Sequence, residues 1–335
     1  MGLTDSRLTL LPMEYPVFYD YWKRQASVFW THLEIPLTDS VNDFKLRLTD
    51  NEKNVISSIL RGFTSVEIII SEYWGSCVAR WFPVPEIQSM AAMFSAIEHV
   101  HAHAYSALET SLNITEYDAF LREPTAKAKI DRIVGVKGDS KEEIALSLAV
   151  FSAFNEGISL FSSFAVLLSF AKRNLLKSVC KIIQYSARDE HNHAMAGISL
   201  FNLFKKENPE IWTDDFKKKI YEAARLTVQL EDDFIEKAFE KGPIDGISAK
   251  ILKNYIRYKT NQHLAAMGLK ANWKNIDKEL LKEMEWFEFY TGSSQQDFFS
   301  ARETNYAKGM ISWDGVFRQM EIKKEELLKD TNNNV

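Results

Sequence analysis

Two short motifs place a histidine three residues after a glutamate: Glu98 with His101, and Glu190 with His193. Residues three apart on a helix share a face, so each motif can aim one carboxylate and one imidazole at the same point. A single motif of this kind is more often a surface or capping pair. Two of them, each within a long stretch of helical pattern, indicate a metal site instead.

Two more acids, Glu67 in SVEIIIS and Glu156 in AFNEGISLF, lie inside apolar runs, where carboxylates are rare unless they are paired. Dinuclear sites in helical bundles take one acid from each of two helices and a Glu-x-x-His motif from each of two others. Two divalent cations would neutralise four carboxylates that would otherwise repel one another in a dry interior. We therefore predict a dinuclear centre, and its oxygen-rich donor set suits iron or manganese better than zinc or copper.

Three other histidines, His99, His103 and His191, fall off the face that the two motifs share. We expect them to serve packing, to support the ligands from outside, or to lie at the surface. The ligand pattern by itself leaves several chemistries open: iron storage, hydroxylation, desaturation and radical generation.

The sequence predicts that helices position these residues along almost the whole chain, because glycine and proline are sparse and alternating strand patterns are missing. A cap at Asp50 is expected for the second helix. Long helices with apolar residues on more than one side predict an all-α bundle whose central members are surrounded. The helices are predicted at 14–28, 50–80, 86–112, 142–171, 174–206, 213–241, 245–268 and 276–291.

The bulk composition excludes several classes of protein. The net charge of -5, with signs intermixed, offers no basic surface for a nucleic acid. No continuous apolar run reaches the length of a membrane span, and the first residues lack the pattern of an export signal. Cys77 and Cys180 form no metal or disulfide motif, which favours a cytoplasmic location.

The ordered motifs resemble those of one family, the small subunit of class I ribonucleotide reductase, over about residues 28–314. That family has an acidic ligand, a Glu-x-x-His-x-x-x-Tyr motif about 31 residues later, a further Glu, and Arg-Asp-Glu-x-x-His. The matching residues here are Glu67, Glu98, His101, Tyr105, Glu156, Arg188, Asp189, Glu190 and His193. The resemblance implies a ferritin-like bundle with additional helices, and a stable radical on Tyr105.

The resemblance also implies a route that carries the radical to a large catalytic subunit. The matching positions are Trp30 in SVFW, Asp189, and Tyr306 in the segment DFFSARETNYAKGMISWD. A chain from Trp30 through Asp189 to His101 would link the surface to the metals. We accordingly divide the sequence into a di-metal domain, 1–291, and a flexible tail, 292–335, that docks on the large subunit and relays the radical.

Several positions depart from the family pattern. Glu67 replaces the usual Asp, as in a manganese/iron subclass, yet that subclass has Phe where this chain has Tyr105. An iron pair is therefore expected first, with Mn/Fe or Mn/Mn open. Near the radical position Phe164 is retained, but Leu160 stands where Phe is usual, and Ser186 stands where Ile is usual.

The tail departs as well. Ser300 replaces the Glu of the family's FFE segment, with Glu303 nearby, and the chain ends in DTNNNV rather than in an acidic, aromatic peptide. Docking is then expected to use IKKEELL or SWDGVF.

The resemblance further implies a homodimer, for which the stretch 50–80 is a candidate interface. Two alternatives remain at this point: a ligand-binding di-metal oxidase of the same superfamily, and a ferritin-like metal store. Neither requires Tyr105 four residues after the histidine or the aromatic residues of the proposed relay.

Overall fold

The computed structural model of the chain describes residues 2–116, 122, 127–128 and 138–292. Within these residues the chain forms helices and no β-sheet, with one isolated bridge between Ile244 and Ile247. The all-α prediction is therefore confirmed. Tyr306 and the rest of the predicted tail beyond 292 lie outside the described residues.

Four long helices form the centre. The helix α3 runs over Asp50–Glu72 and continues through a π-helical turn, Tyr73–Val78, and a last turn, Ala79–Trp81. The helix α4 is Pro85–Leu112 and α6 is Lys177–Glu207. Between them in sequence, α5 comprises Lys141–Leu148, the π-helical segment Ala149–Ser159, and Phe161–Ser169, followed by a 3-10 turn, Phe170–Arg173.

Shorter or peripheral helices surround this centre: α1, Pro16–Ser27; α2, Thr38–Leu46; α7, Asp214–Phe239; α8, Ala249–Ala266; α9, Lys278–Lys282; and α10, Glu285–Gly292. The prediction missed α2 and merged α9 with α10. It also read α5 as a regular helix, whereas eleven of its residues are π-helical. Single π-turns recur at functional sites, and this segment carries Glu156.

The predicted cap at Asp50 was wrong. Thr49 precedes α3, its hydroxyl accepts from the Glu52 N–H, and the Glu52 carboxylate accepts from the Thr49 N–H. This reciprocal arrangement is a capping box. The start of α6 lies three residues later than predicted because Leu176, immediately before it, adopts a left-handed conformation, and its N–H donates to Asp43 on α2.

The helical stretches Asp50–Trp81 and Lys141–Arg173 are long and apolar enough to cross a membrane by length and composition. In the protein, 56% and 89% of their most apolar windows are buried. They also hold Glu67 and Glu156 in the interior, so their apolar faces serve the core of the bundle.

Candidate metal centre

Four central helices deliver six buried side chains to one place, and none of the six exposes any surface. They are Glu67 on α3, Glu98 and His101 on α4, Glu156 on α5, and Glu190 and His193 on α6. The structure thus brings together all six residues that the sequence predicted as ligands.

The six residues form two overlapping groups, each able to offer donor atoms that lie within 4.8 Å of one another. We call them the Tyr105 half, with Glu67 and His101, and the Trp74 half, with Glu156 and His193. Glu98 and Glu190 belong to both groups. Two carboxylates shared between two donor sets are what a pair of adjacent cations requires.

The histidines face the shared glutamates closely. The Nδ1 of His101 lies 3.1 Å from Glu98 Oε2 and 3.2 Å from Glu190 Oε1. The Nδ1 of His193 lies 2.7 Å from Glu98 Oε1. Each carboxylate oxygen therefore points toward the side of the imidazole that would face a metal.

These contacts shift the pKa of the groups in opposite directions. Burial favours neutral forms, but the two imidazoles outweigh it and lower the pKa of Glu98 to about 2. Burial likewise disfavours a charged His193, yet Glu98 and Glu190 raise the pKa of His193 to about 10. Burial and the neighbouring carboxylates raise the pKa of Glu67, and burial raises that of Glu156. In the metal-free protein, protons on these residues thus balance negative charge that bound cations would otherwise balance.

The donor set fits two metal ions. Both oxygens of Glu67 and the Oε2 of Glu156 are buried without a hydrogen-bond partner among the described residues. Unpaired buried carboxylate oxygens are costly, and cations would satisfy them. The metal-dependent assignment therefore rests on orphaned donor atoms as well as on residue types.

A polar chain leads away from His101. The Trp30 indole donates to Asp189 Oδ2 at 2.8 Å, and the same oxygen lies 3.2 Å from His101 Nε2. Arg188 donates to the other oxygen of Asp189 at 2.6 and 2.9 Å. Although burial opposes it, Arg188 and His101 together lower the pKa of Asp189, which keeps the carboxylate charged. The sequence-predicted succession Trp30, Asp189, His101 is continuous in the structure.

Tyr105 lies one turn beyond His101, fully buried, with its ring centroid 6.3 Å from that imidazole and 5.0 Å from Phe63. Burial, followed by the charge of Glu67, raises the pKa of the phenol. The phenol oxygen meets no partner of ordinary hydrogen-bond geometry among the described residues, although the Ser186 hydroxyl is close enough to lower its pKa.

Comparison with known proteins decides the family. A model of the family described as "Ribonucleotide reductase, small chain" matches residues 7–279. The chain belongs to the ribonucleotide reductase small-chain family. It is 33% identical to a probable ribonucleoside-diphosphate reductase small subunit of Invertebrate iridescent virus 3, over 93% of this chain and 87% of the relative.

Solved structures of the reductase family share the fold. The R2 subunit from Clostridium botulinum matches 87% of this chain and 94% of its own, with a TM-score of 0.76 and 23% identity. The dimanganese(II)-NrdF of Streptococcus sanguinis matches 83% of this chain and 99% of its own, with a TM-score of 0.72 and 20% identity. The Rnr4 homodimer of Saccharomyces cerevisiae matches 84% of this chain and 90% of its own, with a TM-score of 0.66 and 20% identity.

Sequence reasoning missed two residues at this reductase site. The Trp74 indole donates to Glu156 Oε1, and its ring lies 6.2 Å from that of His193. His263 packs so closely on Gly157 that a Cβ there would lie 2.2 Å from the imidazole. Its Nδ1 lies 2.7 Å from the Ala153 carbonyl in the π-helical segment. The only clues in the sequence were that Trp74 follows Glu67 by two helical turns and that Gly157 directly follows Glu156.

The remaining histidines of the two motifs stay off the metal-facing side. His99, His103 and His191 are exposed, and His99 Nε2 lies 2.9 Å from the Ser71 hydroxyl. Beside Tyr105, the ring of Phe164 packs 5.1 Å from that of Phe63. Phe63 is therefore part of the aromatic wall near Tyr105, although the sequence motifs did not indicate it.

Proposed function

We propose that this chain is the radical-generating small subunit of a ribonucleoside-diphosphate reductase, with its oxidising equivalent stored on Tyr105. The observation that carries the proposal is the pair of donor groups sharing Glu98 and Glu190, with a buried tyrosine one turn beyond His101. The six ligands are Glu67, Glu98, His101, Glu156, Glu190 and His193.

The metals proposed are two iron ions, with Mn/Fe or Mn/Mn as the alternatives. Each group offers three carboxylates and one imidazole, a hard donor set with a single nitrogen. When bound, such a pair supplies the electrons for oxygen activation and the oxidising power that removes an electron from a nearby side chain.

The chain's own residues must then receive the proton that leaves Tyr105. Glu67 is the candidate because, after burial, its charge acts most strongly on the phenol. Both Glu67 oxygens are without hydrogen bonds among the described residues, so the carboxylate is available to a metal and to the phenolic proton. Phe63 packs against the phenol ring, and the full burial of Tyr105 separates the radical position from bulk solvent.

From the metals outward, the radical equivalent leaves through His101, Asp189 and Trp30. Asp189 accepts from the indole and faces the imidazole through the same oxygen, so it can hold the proton when Trp30 is oxidised. Tyr306, in the tail 292–335, is the proposed next step toward a large catalytic subunit.

The proposed partners are a second copy of this chain and the large subunit. The yeast relative in the comparison is a homodimer. Ile68 on α3 is 51% exposed, which supports the stretch 50–80 as part of the interface. Both cysteines are free, which supports the proposed cytoplasmic location. Light scattering that gave only monomer at micromolar concentration would count against the dimer.

The two alternative functions are separated by a spectrum. After ferrous iron and air are added, a sharp tyrosyl feature favours the reductase, oxo-bridged iron bands alone favour an oxidase, and large mineral loading favours a metal store. Tyr105 beside the donor groups favours the first result, since neither alternative uses it.

Tyr105→Phe tests the proposal directly. Removing one hydroxyl changes stability by only about 0.5–1.5 kcal/mol, so folding and metal content should be retained while the tyrosyl signal and activity with the large subunit vanish. Tyr185→Phe is the matched control, because Tyr185 packs 5.3 Å from Trp30 rather than against the ligands. A tyrosyl signal that survives in Tyr105→Phe but is lost in Tyr185→Phe would show that the radical is elsewhere. Activity without the signal would place the stored equivalent on the metals.

A further inference from the structure

An oxidisable side chain that the proposed relay does not use lies directly beside Trp30. The ring of Tyr185 is tilted against the Trp30 indole, with centroids 5.3 Å apart, and the Trp30 ring is itself 5.9 Å from that of His101. Trp30 is 1% exposed, whereas Tyr185 is only partly buried. Tyr185 therefore offers a second exit from the buried relay toward solvent.

Such an exit would lose the oxidising equivalent. An electron that passed from Tyr185 to oxidised Trp30 would restore the indole, which would take its proton back from Asp189. The radical left on Tyr185 would release its phenolic proton to solvent. Because phenols and indoles are oxidised with similar ease, radical transfer would leak at this point unless Tyr185 were made hard to oxidise.

Two cations face the Tyr185 ring. The Lys181 ammonium lies 4.6 Å from the ring centroid, and the Arg188 guanidinium lies 5.2 Å from it. Lys181 precedes Tyr185 by four residues on α6 and Arg188 follows it by three, so helical spacing brings both to the ring. The lysine pair alone would be ordinary on a helix surface. Arg188, however, is 3% exposed, and a buried charge is screened less by salt than an exposed one.

Positive charge beside an aromatic ring opposes the loss of an electron from that ring. A cation is attracted to the negative face of a neutral ring, and this attraction is lost when the ring itself becomes positive. Neither Lys181 nor Arg188 can accept the phenolic proton, because ammonium and guanidinium groups are donors only. Trp30, in contrast, has the Asp189 carboxylate to take its proton. The surroundings therefore favour oxidation of Trp30 over oxidation of Tyr185.

We propose that Lys181 and Arg188 hold Tyr185 in its reduced form, so that Trp30 passes its oxidising equivalent along the relay instead of losing it to this tyrosine. The inference rests on the proposed function for its purpose, since only a radical on Trp30 makes the protection useful. The protection itself belongs to the ring and its two cations, and it can be measured with no metal present. Arg188 also donates to Asp189, so Lys181 is the residue to vary.

A charge series at Lys181 tests the proposal in the metal-free protein. Azide radicals from pulse radiolysis are uncharged one-electron oxidants, and peptide mass spectrometry then gives the oxidised fraction of Tyr185. That fraction should rise several-fold in Lys181→Met, rise further in Lys181→Glu, and stay near that of the unmodified chain in Lys181→Arg. Lys177→Met, which removes the same charge from an exposed residue one turn earlier on α6, is the control and should leave it unchanged.

The iron-loaded protein connects the protection with radical transfer. After ferrous iron and oxygen are added, Lys181→Met should show a second tyrosyl signal in electron paramagnetic resonance, beside that of Tyr105. Adding Tyr185→Phe should remove the second signal, which a merely structural role of Lys181 would not explain. Equal oxidation of Tyr185 throughout the Lys181 series would overturn the proposal. If the unmodified chain forms no radical on Tyr105, the proposed function fails, and the azide series decides the protection by itself.

Discussion

The two halves of the centre share Glu98 and Glu190 but differ in what surrounds their other ligands. In the Tyr105 half, His101 faces a charged relay, because Asp189 is held by Arg188 and by the Trp30 indole. In the Trp74 half the indole bonds the ligand Glu156 itself, and the phenyl ring of Phe94 lies 4.0 Å from the ring of His193. The Tyr105 half therefore meets its surroundings through the Asp189 carboxylate, and the Trp74 half meets them through the rings of Trp74 and Phe94.

The backbone differs between the halves as well. Glu67 and His101 lie on regular α-helix, whereas Glu156 lies in the π-helical segment Ala149–Ser159. The wider π-turn depends on local packing, with His263 against Gly157 and with Ser152 against Gly197, where a Cβ would meet the Ser152 side chain at 2.0 Å. We therefore expect the Trp74 half to be more sensitive than the Tyr105 half to small changes in packing.

Loss of a shared ligand should erase the difference between the halves and have the largest effect. Glu98→Ala removes a donor from both groups, so both metals should be lost, with apparent affinity falling by more than about 100-fold. Glu156→Ala removes a donor from the Trp74 half alone and should leave about one metal per chain. Metal analysis after desalting distinguishes the two. Two metals retained in Glu98→Ala would mean that Glu98 is not shared.

Gly157→Ala should damage the Trp74 half selectively. The new Cβ would lie 2.2 Å from His263 Cε1 and 2.6 Å from Nδ1, and overpacking of this kind costs about 1–3 kcal/mol. Thermal unfolding should show the loss, and metal titration should show weakened binding of one ion.

His263→Ala offers the matched compensation, because it empties the space that the Cβ would enter. In the double variant the coupling should be favourable, so that the combined loss of stability is smaller than the sum of the two single losses. Strict additivity would contradict the contact between His263 and Gly157.

The charge pattern makes a prediction for the metal-free protein. His193, whose folded pKa of about 10 lies above its ordinary 6.5, contributes stability below 6.5 that is lost as pH rises toward 10. Glu67, whose pKa is raised by burial, costs stability increasingly as pH rises above its ordinary 4.5. The metal-free chain should therefore melt at a lower temperature at about pH 9 than at about pH 6.

Metal should reverse that trend, because bound ligands must be deprotonated and binding releases protons. The increase in melting temperature on loading should grow with pH, and calorimetry in buffers of different ionisation enthalpy should detect the released protons. A melting temperature independent of pH in the metal-free protein would show that these groups do not titrate as their contacts require.

Much of this arrangement could be predicted from spacing, because the i, i+3 geometry of an α-helix fixes which side a residue faces. That rule placed Glu98 with His101 and Glu190 with His193. The rule cannot foresee a π-helical segment, which depends on tertiary packing, so the π-helical setting of Glu156 and the close contact at Gly157 were not predictable. Trp74 was missed because a tryptophan in an apolar run is usually core packing. Whether Tyr306 and the tail act as proposed stays a prediction.

The smallest expected effect concerns Ser186, the polar residue beside the radical position. Its hydroxyl donates to the Ile182 carbonyl at 3.2 Å, as serine often does within a helix, and it also acts on the Tyr105 phenol. Ser186→Ala removes that influence from a site that is otherwise walled by aromatic rings. Stability should change by only about 1 kcal/mol or less, because the Ile182 carbonyl keeps its helical bond.

The tyrosyl radical should form in normal yield but persist longer, since a hydroxyl that can donate a hydrogen bond or hold water is gone. High-field electron paramagnetic resonance reports this directly, because a hydrogen bond to the phenoxyl oxygen lowers the largest g-value. Ser162→Ala, in a buried serine bonded to Glu231, is the control. An unchanged g-value and decay rate in Ser186→Ala would show that the phenol is isolated from Ser186, and that the Tyr105 half depends on its charges alone.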